Sequence, residues 1–190
     1  MRVIDPVVGE EKLPLLVTPQ AVVADSGGQL KAGDPRLDVA CDAASAAVRR
    51  YCRWHVAPVI EETITVDGSG GSVLRLPSQH VVDVLEVKVS GVPVSADQFS
   101  WSVAGLLELH GKRFPKRYRS VEVTLRHGYD YVPDLSAIAS QVARFALASP
   151  MGRTREQAGQ ISVSWGTAQG MAWSESMLEM MKPYRLQIMP

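Results

Sequence analysis

Apolar residues recur at two different periods along this chain, and the change of period divides it. In "DPRLDVACDAASAAVRRYCRWHV", residues 34–56, Leu37, Cys41, Ala44, Val48, Tyr51, Cys52 and His55 fall on one stripe of period 3.6. Asp38, Asp42, Ser45, Arg49 and Arg53 fall on the other side. Asp34-Pro35 marks the start, a carboxylate at the N-cap followed by proline where its missing N–H costs nothing. Pro58 marks the stop. An amphipathic helix is therefore predicted over 34–56.

From residue 59 the period falls to two. "IEETITVDG" and "GSVLRLP" flank "DGSGG" and predict a hairpin whose turn uses glycine because positive φ is cheap there. "VVDVLEVKVSG" predicts a strand with Val81, Asp83, Leu85, Val87 and Val89 on one side and Val82, Val84, Glu86 and Lys88 on the other. "QFSWSV" and "GLLELHG" predict a second hairpin. "SVEVTLRHG" alternates, with Val121, Val123 and Leu125 inward and Glu122, Thr124 and Arg126 outward. Residues 59–128 are thus expected to form one antiparallel sheet of about five or six strands.

The helical period returns over 133–149, opened by Pro133 and closed by Pro150, with Leu135, Ile138, Ala139, Val142, Phe145 and Ala146 on its apolar face. A polar link, "MGRTREQAG", leads to a short strand over 160–165. Ser174 then caps a two-turn helix ended by Pro183. Five of the seven methionines, Met171, Met177, Met180, Met181 and Met189, crowd this end. That is more thioether surface than one core face needs, and it suits an interface. Residues 1–33, broken by Pro6, Pro14, Pro19 and Gly27-Gly28, read as an extended arm with a helical turn after Thr18-Pro19. The expected organisation is an arm (1–33), an α+β core (34–166) and a C-terminal helix and tail (167–190). The fold class is α+β: a small helical bundle of two main helices and a short C-terminal one, with an inserted antiparallel sheet.

Composition adds exclusions. With 190 residues, 46% hydrophobic and 21% charged, the chain suits one globular domain with appendages. Twenty basic and twenty acidic side chains give zero formal charge, so no global field recruits nucleic acid or anionic membrane. No run approaches about 18 apolar residues, and "MRVIDPVVGEEKLPLL" lacks the unbroken apolar core of a signal peptide. The expectation is synthesis in a reducing cytoplasm and no membrane contact.

Candidate chemistry is sparse. Cys41 and Cys52 share a helix face but stand roughly 16 Å apart along it, too far for one metal or one disulfide. Cys52 and His55 are close enough to share a metal site, yet no further ligands stand at a recognisable spacing. The reading is a buried helix face. His55, His80, His110 and His127 occur in no metal-binding motif, and Glu61 and Glu62 point to opposite faces of a strand. Phosphate-loop, nucleophile-elbow and calcium-loop signatures are missing. No enzyme, metal or cofactor is expected. "HGKRFPKRYR" is the one basic cluster, placing Lys112, Arg113, Lys116, Arg117 and Arg119 around Phe114 and Tyr118. Cations interleaved with aromatics suit nucleic acid, and a solvated loop or a protein interface has the same composition.

The ordered set of elements resembles a known family. The run "DPRLDVACDAASAAVRRYCRWHVAPV", the hairpin "TITVDGSGGSVLRLPS", the strand "VVDVLEVKVSG", the stretch "VTLRHGYDYVPDLSAIASQVARFALASP" and the ending "YRLQIMP" are together similar to the head-to-tail adaptor (connector) proteins of long-tailed phages, especially those of actinobacteria. The resemblance covers roughly residues 34 to 190. It implies a structural virion protein in the neck, forming a ring, commonly twelvefold, below the portal. That ring would extend the channel for genomic DNA and dock the next neck or tail-terminator protein. It also implies no catalytic residues. Within it, Met177, Met181, Tyr184, Leu186, Arg49 and Arg53 are expected at the portal or subunit interface. Lys112, Arg113, Lys116, Arg117 and Arg119 are expected at the channel or against DNA. The alternative is a small nucleic-acid-binding protein using loop 110–119.

Overall fold

Helix α1 (Pro19–Asp25) stands where a helical turn was expected after Thr18-Pro19, with Thr18 Oγ1 accepting the Ala21 N–H at 3.2 Å as its cap. The computed structural model describes residues 12–148, 155–158, 161–164 and 173–187. Helix α2 (Arg36–Cys52) begins one residue later than expected, with Pro35 in the cap position and one Asp34 carboxylate oxygen still accepting the Arg36 N–H at 2.9 Å. It ends early. Arg53 takes a left-handed conformation (φ 69°) and donates its N–H to the Arg49 carbonyl at 2.7 Å, closing the helix well before Pro58. That turn sends Trp54, His55 and Val56 off the helix axis into buried positions.

The far side of α2 is a solvent face only in part, with Asp38 and Arg53 exposed and its middle covered, which corrects the two-sided reading. Ser45 and Arg49 are both buried. Ser45 Oγ accepts the Leu16 N–H at 3.0 Å, and the Arg49 guanidinium donates to the carbonyls of Pro14 (2.5 Å) and Ala57 (2.6 Å). Residues 14–17 lie along this side of the helix and bury Val17 there. Both carbonyls accept from the same Nη2 of Arg49, its buried Nε has no hydrogen-bond partner among the described residues, and burial pulls its pKa down to about 10.

Between the two long helices the chain forms β1 (Ile60–Val66), β2 (Val73–Arg75), β3 (Val81–Val89), β4 (Val92–Val94), β5 (Phe99–Trp101), β6 (Leu106–Leu109) and β7 (Val121–His127). These make two antiparallel sheets rather than one, ordered β1-β7-β3-β4 and β2-β6-β5. β1 pairs with β7 from Ile60↔His127 to Val66↔Val121, and β2 pairs with β6, so the expected β1–β2 hairpin does not form. The β5–β6 hairpin does form. β7 keeps its alternation, burying Val121, Val123 and Leu125. β3 does not. Register shifts at Val81/Asp83 and Val84/Glu86 turn its side chains, so Val81, Val84 and Val87 are buried and Leu85 is exposed.

Helix α3 (Pro133–Ala148) packs against α2. Its buried arc runs through Leu135, Ile138, Ala139 and Val142 and then shifts to Ala143 and Leu147, leaving Phe145 60% exposed and Ala146 also in solvent. The shift follows α1, which lies on that side: Ser140 Oγ donates to an Asp25 carboxylate oxygen at 2.6 Å. The link read as polar carries β8 (Arg155–Ala158), paired with the expected strand, β9 (Ile161–Ser164). Ser174 caps α4 (Glu175–Met181), accepting the Met177 N–H at 3.3 Å, and a 3-10 turn, Lys182–Tyr184, follows. Met171 and Met189 lie outside the described residues.

Candidate assembly surfaces

The basic cluster is a shaped lobe. Phe114 is buried at the end of the sheets' core and donates its N–H to the Gly71 carbonyl at 2.8 Å, anchoring the β6–β7 connection. The Gly68 N–H donates to the Arg117 carbonyl at 2.8 Å, and the Arg119 N–H donates to an Asp67 carboxylate oxygen at 2.9 Å. A Cβ on Gly68 would stand 1.9 Å from the Pro115 carbonyl oxygen, so only glycine permits this approach. The glycines of "DGSGG" therefore serve the basic loop rather than a β1–β2 turn. Lys112, Arg113, Lys116, Arg117 and Arg119 are all exposed, and Tyr118 among them is 84% exposed.

Three of the four histidines, His55, His80 and His127, converge at the seam between helices and sheet, while His110 is exposed and bonds to the Asp97 carbonyl. The His55 and His127 rings lie 5.7 Å apart, His80 stacks on Tyr129 at 4.4 Å, and Trp54 packs near both His127 and Tyr129. His127 Nε2 is 2.8 Å from Glu62 Oε1, and that hydrogen bond holds the carboxyl below its usual range. Burial, aided by the nearby Arg49 and His127, pushes His55 down to about 4. His55 and His80 bond to the carbonyls of Pro58 and Gly128. No hydroxyl or thiol is hydrogen-bonded to these three imidazoles, and no group of three or more His, Cys, Asp or Glu is placed to hold a metal, among the described residues. What the cluster does chemically is join the layers. Cys41 and Cys52 are free and buried, and burial pushes the Cys52 thiol up to about 12.

The tail turns back onto its own chain. Met177 and Met181 are buried in the helical core, correcting the expectation that they face a partner. The Leu186 N–H donates to the Cys52 carbonyl (2.8 Å), Trp54 Nε1 to the Tyr184 carbonyl (2.7 Å), and the Tyr184 hydroxyl to an Asp134 carboxylate oxygen (2.8 Å). Tyr184 and Leu186 are half-buried. Of the two arginines expected at an interface, Arg53 is exposed and Arg49 is not. Sequence reasoning missed Val39, 70% exposed on α2, because an apolar residue off the main stripe gives no signal of what covers it.

No protein-family model matches the sequence, and no curated protein matches it. Solved structures do. The chain is similar to a chain in the neck of the native GTA particle computed with C12 symmetry, at TM-score 0.59 and 16% identity, over 91% of this chain and 93% of that one. A chain in the neck of the empty GTA particle computed with C6 symmetry matches at TM-score 0.53 and 16% identity, over 91% and 94%. A chain of the virion of the native gene transfer agent particle matches at 0.54 and 16% identity, over 84% and 82%. The α+β fold seen here is thus shared, nearly end to end, with a chain of the GTA neck.

Proposed function

We propose that this chain is a structural component of the neck of a phage-like particle, assembling with copies of itself into a ring below the portal that joins capsid to tail and extends the DNA channel. The observation that carries this reading is the shared fold along 91% of this chain and 93% of a chain in the GTA neck. The C12 and C6 symmetries of those necks support a twelvefold ring. Repeated heterologous contacts would close it, and the chain would act by geometry without catalytic residues. On this reading the portal meets one face and the next neck or tail-terminator protein the other. Arg53, Tyr184 and Leu186 belong to the portal or subunit surface, with Arg49, Met177 and Met181 shaping it from behind. Lys112, Arg113, Lys116, Arg117 and Arg119 line the channel or face the next ring. The exposed Tyr118 within five cations also favours a second reading, a free nucleic-acid-binding protein.

Native mass spectrometry of the chain mixed with its portal tests the first reading. It predicts one discrete complex carrying twelve copies of this chain; monomer alone at every ratio would refute it. A gel-shift titration in salt tests the second, which requires tight binding by the free monomer.

A further inference from the structure

At the end of α2 the chain forms a concavity of about 400 Å³ lined by Ala47, Arg50, Tyr51, Arg53, Trp173 and Arg185. Arg50 and Arg53 come from the helix end, and Arg185 comes from the tail folded back over it. The Arg185 guanidinium lies 5.2 Å from the Tyr51 ring centroid, and the Tyr51 and Trp173 rings are 6.4 Å apart, tilted by 48°. Three parts of this wall are held by hydrogen bonds. The Arg53 N–H is bonded to Arg49, the Arg185 carbonyl accepts from Gln79 at 2.7 Å, and the Tyr51 hydroxyl donates to the Leu178 carbonyl at 3.4 Å. No ion pair ties Arg50, Arg53 or Arg185 to a carboxylate among the described residues.

Two arginines at a helix C-terminus offset the negative end of its dipole. That does not account for the third, which belongs to no helix, or for the two aromatic rings beside it. Three planar guanidiniums converging on one hollow with an aromatic wall are suited to a carboxylate held by forked hydrogen bonds, with an apolar neighbour against the rings. Nucleic acid fits less well, because it needs cations spread along a track rather than gathered at a point. The approach to the hollow along α2 is also a row of small apolar residues, Val39, Ala43 and Ala46, exposed together with Arg50. The basic lobe is elsewhere. It sits by the Val66 end of β1, while α2 leads into the Ile60 end, roughly 20 Å away along the strand.

We infer that this concavity is a docking site for an acidic segment of a partner protein, one aspartate or glutamate side chain entering between Arg50, Arg53 and Arg185 with an apolar residue against Tyr51 and Trp173. The site stands on the chain's own geometry and does not require the ring. Its probe is a fluorescein-labelled peptide, acetyl-Glu-Leu-Glu-Glu-Leu-Glu-amide, titrated in low salt by fluorescence anisotropy. Its glutamine counterpart, a single-stranded oligodeoxynucleotide and inorganic phosphate serve as competitors. Saturable binding is expected, weakened at least about tenfold by Arg185→Glu and by Trp173→Ala, and unchanged by Arg117→Glu in the basic lobe. Arg53→Gly guards against misfolding, because glycine suits the left-handed turn. It should weaken the peptide while holding or raising Tm. Equal binding of the glutamine peptide, stronger competition by the oligonucleotide or phosphate, unchanged affinity in these variants, or no saturation would each overturn the site. Loss of the twelve-copy complex with the peptide still bound would overturn the ring alone.

Discussion

Residues 60–127 bury Val87, Leu107, Val121, Val123 and Leu125 among side chains drawn from that same stretch, whereas the helical core gathers Val22, Val48, Leu135 and Met181 from separate parts of the chain. The sheets close on themselves. The helices close only when residues 14–25 come back over α2 and α3 and residues 177–186 come back under them. Burial in the first region is thus a local outcome, and in the second it depends on both flanking segments. The seam of Trp54, His55, His127 and Tyr129 ties the two together.

The largest effect expected is from opening either core. Leu135→Ala among the helices and Leu107→Ala between the sheets should each cost about 3 kcal/mol in denaturant unfolding, and both should shift one common transition because the seam couples the layers. Two separated transitions would mean that the two cores unfold independently. Next, Arg49→Ala removes the donor for the Pro14 and Ala57 carbonyls and should cost about 2 kcal/mol. Protease sites within residues 12–30 should open under limited digestion. A cleavage pattern like the parent's would mean that Arg49 does not hold that segment.

The seam predicts an acid limit of similar size. His55 is buried neutral, with a folded pKa of about 4 against 6.5 when unfolded. The unfolded chain therefore takes up the proton first, and stability falls as pH drops from 6.5 to 4, by on the order of 2 kcal/mol. Glu62, whose folded pKa is lowered, contributes stability above about 4.5 that is lost as pH falls further through its folded value. His55→Asn should flatten the upper part of this curve; a parental slope between pH 6.5 and 4 would remove His55 as its cause. The smallest effect is at the tail. Ser174→Ala removes the α4 cap and should cost about 1 kcal/mol, seen as faster amide exchange at Met177 and Met181.

The same contrast explains what could be read from the sequence. The alternation of β7, the β5–β6 hairpin, the Ser174 cap and the main stripe of α2 are local patterns, each where it was expected, and the Asp34 start of α2 is displaced by one residue. The split into two sheets was not legible, because β1 chooses β7 over its neighbour β2 across a long loop. The bulges in β3 leave no mark in "VVDVLEVKV", and they reverse the expected sides of Leu85 and Val84. Arg49 looked like a solvent residue because its cover comes from residues 14–17, and Met177 and Met181 looked like an interface because their destination lies on α2 and α3. The arginine concavity was hidden for the same reason: Arg185 and Trp173 reach Arg53 only after the tail folds back.

Whether this chain builds the proposed ring in a phage-like neck can be seen in projection images of the particles formed when it is co-expressed with its portal protein. A closed ring stacked coaxially beneath the portal is expected, with a central hole continuous with the portal channel. Portal rings with a bare lower face, beside free monomers of this chain, would contradict it.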